Sequence, residues 1–395
     1  MIDRVKVVGF KSLSDVTIDL GKVNIFIGSN GSGKSNILEA IGVMSAAASG
    51  KVDDESLIRR GVRPGLPRLY KSSFKNKNTP PHIFFSAQSK MISYSVALNN
   101  PLTDPQLAWG YKTENFSQNS ISIISRGIRD AKKYNRYQGL AALKMVEMEH
   151  SNYDFSLLET LNDYAIYCPN TPTLRGTIPD MQQRAPIGLS GGRLAEAFRE
   201  LQLHAAKNDE VQEYLSEMLY TMDWFSNVDT MSSASSLLSP SVPRSKYIIR
   251  FTDQFMDKNR NTLTAYDASE GALYVIFLAI LALSPSAPPI FAIDNLDQAL
   301  NPRLVKAVVK TFCQLTIDYW EDQQILFTSH NPLVLDGLPL ESDDIRLFAV
   351  DRNNFGHTQV KRITITDDML ELCRNNSWPL SRLWTMGHIG GVPNV

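Results

Sequence analysis

Apolar and polar positions alternate with period two near the start of the chain, at Val5 and Val7 and again at Val16, Ile18 and Leu20. The run Val23, Ile25, Phe26, Ile27 is apolar save for Asn24. Period two puts alternate side chains on one face, so these stretches predict half-buried strands followed by a largely buried one. Ile37, Leu38, Ala40 and Ile41 return at helical spacing, which predicts a helix from Ser35 to about Ala48. Residues 50–81 are polar and punctuated by glycine and proline, and read as loop or irregular surface. Strand-like runs resume at 82–86, 91–98 and 120–125, helical spacing covers about 140–164 and 193–220, and the Ser/Pro-rich residues 231–243 read as a linker before a strand at 246–251. Beyond residue 262 the pattern alternates helix 271–283, strand 290–293, helix 303–319 and strand 324–328, followed by strand-like 345–350 and 360–365. That alternation predicts an α/β fold with parallel strands joined by crossover helices.

A chain of 395 residues has room for two domains, or for one α/β core with a large insertion. The simplest arrangement is one core domain formed by residues 1–50 and 261–395, interrupted by a mixed, largely helical insertion at 51–260. Lys and Arg number 40 against 41 Asp and Glu, for a formal net charge of -1, so no global positive field advertises nucleic acid. A local basic face remains open, because residues 50–81 carry Arg59, Arg60, Arg63, Arg68, Lys71, Lys75 and Lys77. Cys168, Cys313 and Cys373 are odd in number and widely spaced, which fits reduced thiols and a cytoplasmic protein rather than a disulfide framework. Met1 to Val5 lead directly into strand-like alternation, and no secretory leader is expected. The longest apolar stretch, 272–283, is about half of the ~20 residues a bilayer span needs, so no membrane partner is expected.

One segment changes this picture. Gly28-Ser29-Asn30-Gly31-Ser32-Gly33-Lys34-Ser35 follows an apolar strand and opens a helix, the context required of a phosphate-binding P-loop. Its glycines let consecutive backbone N–H groups face phosphate oxygens, and the helix N-terminus, including Asn36, adds partial positive charge. Lys34 would reach the β and γ phosphates of ATP, and the Ser35 hydroxyl would serve Mg²⁺. In the C-terminal third, Phe291-Ala292-Ile293-Asp294 is an apolar strand ending in a carboxylate that could hold Mg²⁺ through water. Upstream, Ser269-Glu270-Gly271 opens the apolar helix 272–283. Downstream, Ile325-Leu326-Phe327-Thr328-Ser329 is a strand that delivers His330.

P-loop, Ser-x-Gly helix start, strand-terminal Asp and strand-terminal His, in that order, resemble the ATPase head of the ABC superfamily, in its SMC and RecF-like branch. The opening Val8-Gly9-Phe10-Lys11-Ser12-Leu13 is similar to the first strands of that branch. The resemblance covers about residues 1–48 and 262–395. It implies that Ser269, Glu270 and Gly271 form a signature motif acting in trans, so that two heads sandwich two ATP molecules as a homodimer or higher oligomer. It also implies a D-loop at Gln298-Ala299-Leu300-Asn301-Pro302 and a γ-phosphate switch at His330, which could otherwise be a capping residue. Leu189-Ser190-Gly191-Gly192 is literally closer to the transporter signature, but its distance from Asp294 favours a glycine turn before a helix. The earliest candidate for the Q-loop glutamine is Gln88. Arg59 and Arg60 fall where the branch often has a basic loop, or form a solvated cluster.

Asn295 departs from the pattern, since related ATPases carry Asp-Glu here and the Glu polarises the attacking water. An amide cannot take the proton as a carboxylate does, although it can orient water, so slow hydrolysis is expected; Asp297 is a second candidate base. Residues 384–395, with Gly387, Gly390, Gly391 and Pro393, resemble the tail of standalone RecF-like ATPases of bacterial anti-phage systems, among them Septu-type proteins. The reading is an ATP-operated switch controlling a partner effector such as a nuclease. The alternative is a RecF-like repair ATPase clamping DNA. An importer subunit is opposed by the large insertion and the Gly-Phe-Lys-Ser start.

Overall fold

In the computed structural model, the chain is described throughout except at residues 128–133, 148–151, 234–236, 239–241, 243–244, 341, 388 and 390–395. The middle of the expected linker at 231–243, and Gly390, Gly391 and Pro393 of the tail, therefore lie outside the described residues.

Strands β1 (Arg4–Phe10) and β2 (Leu13–Asp19) form a hairpin, and β3 (Val23–Ile27) runs into helix α1 (Lys34–Ala48). Two short helices, α2 (Asp54–Ile58) and α3 (Pro67–Tyr70), precede β4 (Ile83–Ser89), β5 (Ile92–Asn99), β6 (Gly110–Gln118) and β7 (Ile121–Arg126). Then come α4 (Leu140–Glu147), α5 (Ser156–Asn162), β8 (Ala165–Tyr167), α6 (Thr171–Leu174), α7 (Leu194–Ala205) and α8 (Asp209–Tyr220). Strands β9 (Phe225–Ser232), β10 (Tyr247–Asp253) and β11 (Thr262–Thr264) lead to α9 (Glu270–Leu283), β12 (Ile290–Ile293), α10 (Pro302–Asp318) and β13 (Gln324–Ser329). A 3-10 turn (Pro332–Gly337), β14 (Ile345–Arg352), β15 (Thr358–Ile363), α11 (Asp367–Asn376) and α12 (Leu380–Thr385) complete the chain.

The central sheet has the order β15-β14-β3-β13-β12-β8. β14, β3, β13, β12 and β8 pair in parallel, and β15 is an antiparallel edge. A second sheet, β2-β1-β4-β5-β6-β7, is antiparallel, and β11-β10-β9 make a third. The sheets cross the divisions at residues 50 and 260: β1 pairs with β4, and β8 lies beside β12.

Layering follows from which faces are apolar. Val23, Ile25 and Ile27 of β3 join the core shared with α7, α8, α9 and α10, while Phe26 joins the core of α1 and the antiparallel sheet. Every residue of α9 from Gly271 to Leu283 is buried, as expected of a helix apolar all round and enclosed by neighbours. Asn24 is tolerated inside β3 because its amide is saturated: Oδ1 accepts from the Gly21 N–H at 2.8 Å, and Nδ2 donates to the Gly21 carbonyl at 2.8 Å and the Ile325 carbonyl at 3.3 Å.

Residues 50–81 are mostly loop, as expected, but two short helices and a buried apolar side pack part of them onto the core. Asp53 and Ser56 form a capping box on α2, and Val52, Leu57, Val62 and Tyr70 are buried. Arg60 is not a solvated charge. Its Nε donates to Ser45 Oγ at 2.6 Å and its Nη1 to the Ser56 carbonyl at 2.9 Å, and Nη2 bonds Ser49 Oγ, tying α2 to α1. Burial, then the neighbouring Arg184 and Arg59, lowers its pKa to about 10.

β6, β8 and β9 were not legible in the sequence pattern. β6 carries Lys112, Thr113, Glu114 and Asn115 in a row, yet Glu114 is fully buried, accepting from the Leu140 N–H at 2.6 Å, the Ala141 N–H at 3.2 Å and Tyr94 Oη at 3.1 Å. Its carboxylate thus meets the first N–H groups of α4, and a polar residue in a core position hides the alternation.

Candidate nucleotide site

The P-loop leaves the C-terminal end of β3, at the edge of the parallel sheet where such folds bind ligands. Gly31 and Gly33 hold φ of +78° and +112°, in the region that glycine enters without steric cost. A Cβ on Gly28 would lie 2.1 Å from the Val350 carbonyl oxygen, so β14 permits only glycine there. Thr358 of β15 buttresses the loop from the side, its Oγ1 2.7 Å from both the Ser32 carbonyl and Ser12 Oγ. Asn36 Nδ2 donates to the same Ser12 Oγ at 2.7 Å. A Cβ on Gly33 would stand 2.2 Å from Thr358 Oγ1, so Gly33→Ala is expected to cost about 2–4 kcal/mol from backbone strain and overpacking. Thermal denaturation checks this; an unchanged melting temperature would contradict it.

Lys34 is buried, and its Nζ donates to the Gly28 carbonyl at 2.8 Å and the Ser29 carbonyl at 2.9 Å. Burial pushes its pKa down, against the opposing pull of Asp294 and Asp297. β12 and β13 lie side by side with Ile293 opposite Phe327, which sets Asp294 beside Thr328. Asp294 Oδ1 accepts from Thr328 Oγ1 at 2.6 Å and from Ser35 Oγ at 3.0 Å, and the Asn295 N–H donates to Thr328 Oγ1 at 2.9 Å. Hydroxyl and carboxylate oxygens converging beside a phosphate-binding lysine suit Mg²⁺, which takes one or two protein oxygens and completes its shell with phosphate and water. Ser35 and Asp294 would hold the ion, and Thr328 would orient the carboxylate.

Asn295 stands at φ +62°, a left-handed conformation that Asn adopts more readily than most residues, and its carbonyl accepts from Tyr274 Oη at 3.2 Å. Asp297 keeps one carboxylate oxygen buried without a partner and adds its field to that on Lys34. Ser269 N-caps α9, accepting from the Ala272 N–H at 3.3 Å, while Ser269 and Glu270 are exposed. Gly271 faces Leu304 and the Ala299 carbonyl, so the start of α9 packs on the loop after Asp294. Ser269 makes its described contact within its own helix, not with the P-loop of the same chain. His330 is exposed at the end of β13, and the cap of the following 3-10 turn is Asn331.

Leu189-Ser190-Gly191-Gly192 is a turn leading into α7, and its N–H groups are occupied: Asp180 Oδ2 accepts from Ser190 at 2.9 Å and Gly192 at 3.1 Å. Gln88 is exposed on β4 opposite Arg4, in the antiparallel sheet. The segment that adjoins Asp294 is instead the end of β8, where the Tyr167 carbonyl accepts the Asp294 N–H at 2.9 Å and Cys168 follows. Thr328, Thr358 and Tyr167 escaped the sequence reading. Thr328 could have been found from its place before His330, but nothing in sequence links Thr358 to a loop 326 positions away.

This fold and site define a P-loop ATPase head. A family model described as "AAA ATPase domain" matches residues 1–163, and one described as "AAA domain, putative AbiEii toxin, Type IV TA system" matches residues 149–336. The DNA replication and repair protein RecF of Halothermothrix orenii is 38% identical over 71 residues, which are 18% of this chain and only 19% of that protein. An SMC head bound to the C-winged helix domain of ScpA superposes with TM-score 0.56 at 14% identity, covering 92% of this chain and 98% of that one. The head with extended coiled coil bound to the C-terminal domain of ScpA, from Pyrococcus furiosus, gives TM-score 0.52 at 12% identity over 95% and 99%. The fold is that of an SMC-type head, and the two ATPase-domain models between them match residues 1–336, so the chain is an ATPase by the domains it matches. Among the described residues no helix is long and apolar enough to cross a membrane.

Proposed function

We propose that the protein is an ATP-operated switch: Mg-ATP binds the P-loop, and two copies close on it, each offering Ser269, Glu270 and Gly271 to the nucleotide held by the other. The observation that carries this reading is the junction of Ser35, Asp294 and Thr328 beside Lys34, which joins the two ends of the chain in one oxygen-rich site. The exposed α9 N-terminus, which among the described residues makes no hydrogen bond to the P-loop of its own chain, supports closure in trans. Asn295 in the place of a general base makes hydrolysis slow, so the ATP-bound dimer persists as a platform for a partner effector such as a nuclease in anti-phage defence. The toxin–antitoxin description of the matching family model supports a conflict-system role ahead of a repair ATPase on DNA.

Light scattering after size exclusion tests the switch. Mg-ATP is expected to convert wild type to a dimer or larger assembly, and Ser269→Arg, which obstructs the exposed helix start, is expected to stay in its nucleotide-free state while binding ATP normally. A Ser269→Arg variant that assembles like wild type would remove Ser269 from the interface.

A further inference from the structure

Between the C-terminal half of α8 and the start of β9 runs an open groove of about 340 Å³, with Leu215, Leu219, Met222 and Phe225 in its walls and Tyr220 beside them. Tyr220 is 84% exposed, a large aromatic side chain with nothing packed over it. The apolar surface continues onto the β10–β11 turn. There the Gln254 N–H donates to the Trp224 carbonyl at 3.2 Å and its side-chain amide to the Asp223 carbonyl, which holds the turn against the start of β9. Asp253 Oδ1 accepts from the Phe255 N–H at 2.8 Å and the Met256 N–H at 3.1 Å, so the backbone that carries these two exposed side chains is fixed. Exposed aromatic residues and methionine gathered beside a groove mark an interaction surface rather than ordinary protein exterior.

Charge selects what can lie there. From Asn208 to Pro243 the chain has no lysine or arginine. Asp209, Glu210, Glu213 and Glu217 of α8 are exposed and have no ion-pair partner among the described residues, while Asp229 on the opposite wall is already paired with Arg250. Asp318 at the end of α10 extends the negative field, as do Glu321 and Asp322 just beyond it. The two helices meet at an aromatic pair, Tyr214 and Tyr319, with ring centroids 5.8 Å apart. Burial, then the fields of Asp318, Glu210, Glu213 and Glu217, raises the Tyr214 pKa, so carboxylates of both helices converge on that pair. The β10–β11 turn is mixed, with Asp257 beside Lys258 and Arg260, and the negative field belongs to α8 and the end of α10.

Topology sets this surface apart from the nucleotide. The P-loop and Asp294 follow the C-terminal ends of β3 and β12, whereas α10 ends where β13 begins, at the N-terminal end of the same parallel strands. Tyr319 and its neighbouring acids therefore stand at the opposite edge of the sheet. Trp320 Nε1 donates to the Ala282 carbonyl in the last turn of α9, the end of that helix away from Ser269. Two heads closed on ATP through Ser269 would leave the groove open, so a second copy in that arrangement does not cover it. Its negative field also opposes a polynucleotide or an anionic lipid surface. An apolar groove flanked by unpaired carboxylates and tyrosine rings fits a cationic segment that carries its own apolar face.

We infer that the groove between α8 and β9 is a docking surface for a basic amphipathic segment of a partner protein, whose apolar side chains enter against Leu219, Tyr220 and Phe225 while its cations meet the carboxylates of α8. This goes beyond the switch reading and stands without it, because the groove is formed with no nucleotide bound. Fluorescence anisotropy of three synthetic peptides with the full chain tests it: a leucine–lysine amphipathic helix, the same composition scrambled so that no apolar face remains, and a leucine–glutamate counterpart of the first. The amphipathic basic peptide is expected to bind at least about tenfold more tightly than the scrambled one, to weaken as salt rises, and to bind equally with and without Mg-ATP, while the glutamate peptide does not bind. Glu213→Lys combined with Glu217→Lys is expected to weaken the basic peptide about tenfold or more and to bind the glutamate peptide instead. Tyr220→Ser combined with Phe255→Ser changes two exposed side chains and so keeps the fold, which circular dichroism checks; it is expected to remove the preference for the amphipathic peptide over the scrambled one. Equal binding of those two peptides by wild type, binding of none of the three, or wild-type affinity in either double variant would overturn the inference. Loss of peptide binding on adding Mg-ATP would place the groove inside the closed assembly and overturn it as well. If wild type self-associates without nucleotide in light scattering and Tyr220→Ser with Phe255→Ser disperses it, the groove belongs to a second copy of the chain and the assignment falls.

Discussion

Lys34→Ala is expected to abolish measurable ATP binding. The ammonium donates inside the loop to the carbonyls of Gly28 and Ser29, a position from which a P-loop lysine would reach β and γ phosphate oxygens. Losing two charge-assisted hydrogen bonds to phosphate is worth about 3–5 kcal/mol, a fall in affinity of roughly 100-fold or more. Calorimetry with Mg-ATP reads this directly, and circular dichroism shows whether the fold survives; the truncation leaves two backbone carbonyls without their donor, and a small loss of stability accompanies it. Wild-type affinity in this variant would place the nucleotide elsewhere.

Asn295→Glu is expected to raise single-turnover ATP cleavage about a hundredfold, the usual contribution of a positioned general base. The residue follows Asp294, and its N–H is anchored on Thr328 Oγ1 at 2.9 Å, so a carboxylate introduced here starts from a fixed backbone. The φ of +62° costs Glu more than Asn, by about 1–2 kcal/mol, and the variant should melt a few degrees lower. Phosphate release by the two proteins side by side decides the matter. Brisk turnover by wild type, unchanged in Asn295→Glu, would transfer the base role to another group, with Asp297 the first to test because its buried oxygen lacks a partner and its field reaches Lys34. The same pair read by light scattering connects chemistry to assembly: faster cleavage should shorten the life of the ATP-held dimer.

Local chemistry made several elements legible. The P-loop needs glycine where φ is positive or a neighbour is close, and Gly28, Gly31 and Gly33 stand at those positions. The strand ending in Asp294 and the all-apolar helix behind Ser269 could be read because their burial is nearly complete, so that no polar position interrupts the pattern. Residues 50–81 misled in part. Most of their arginines are indeed exposed, but Arg60 is spent on Ser45, Ser49 and Ser56, partners chosen by packing against α1, and the exposed Arg63 is paired with the buried Glu39. β8 was lost because three residues carry no period, and β6 because Glu114 occupies a core position.

By itself the sequence determined the P-loop pattern, the order of strands and helices from α9 to β15, and the identity of the residues that can carry charge or accept a proton, since each depends on backbone conformation or chemistry within a few positions. Only the tertiary structure decided which of them meet. It set Asp294 against Ser35 by inserting β13 between β3 and β12, and brought Thr358 to the P-loop across 326 positions. It left Gln88 on the antiparallel sheet while the end of β8 adjoined Asp294, and it set α8 beside β9 to open an apolar groove that carboxylates flank. Those encounters come from sheet order and strand register, which are settled by the burial of whole faces and leave no mark in any one stretch of the chain.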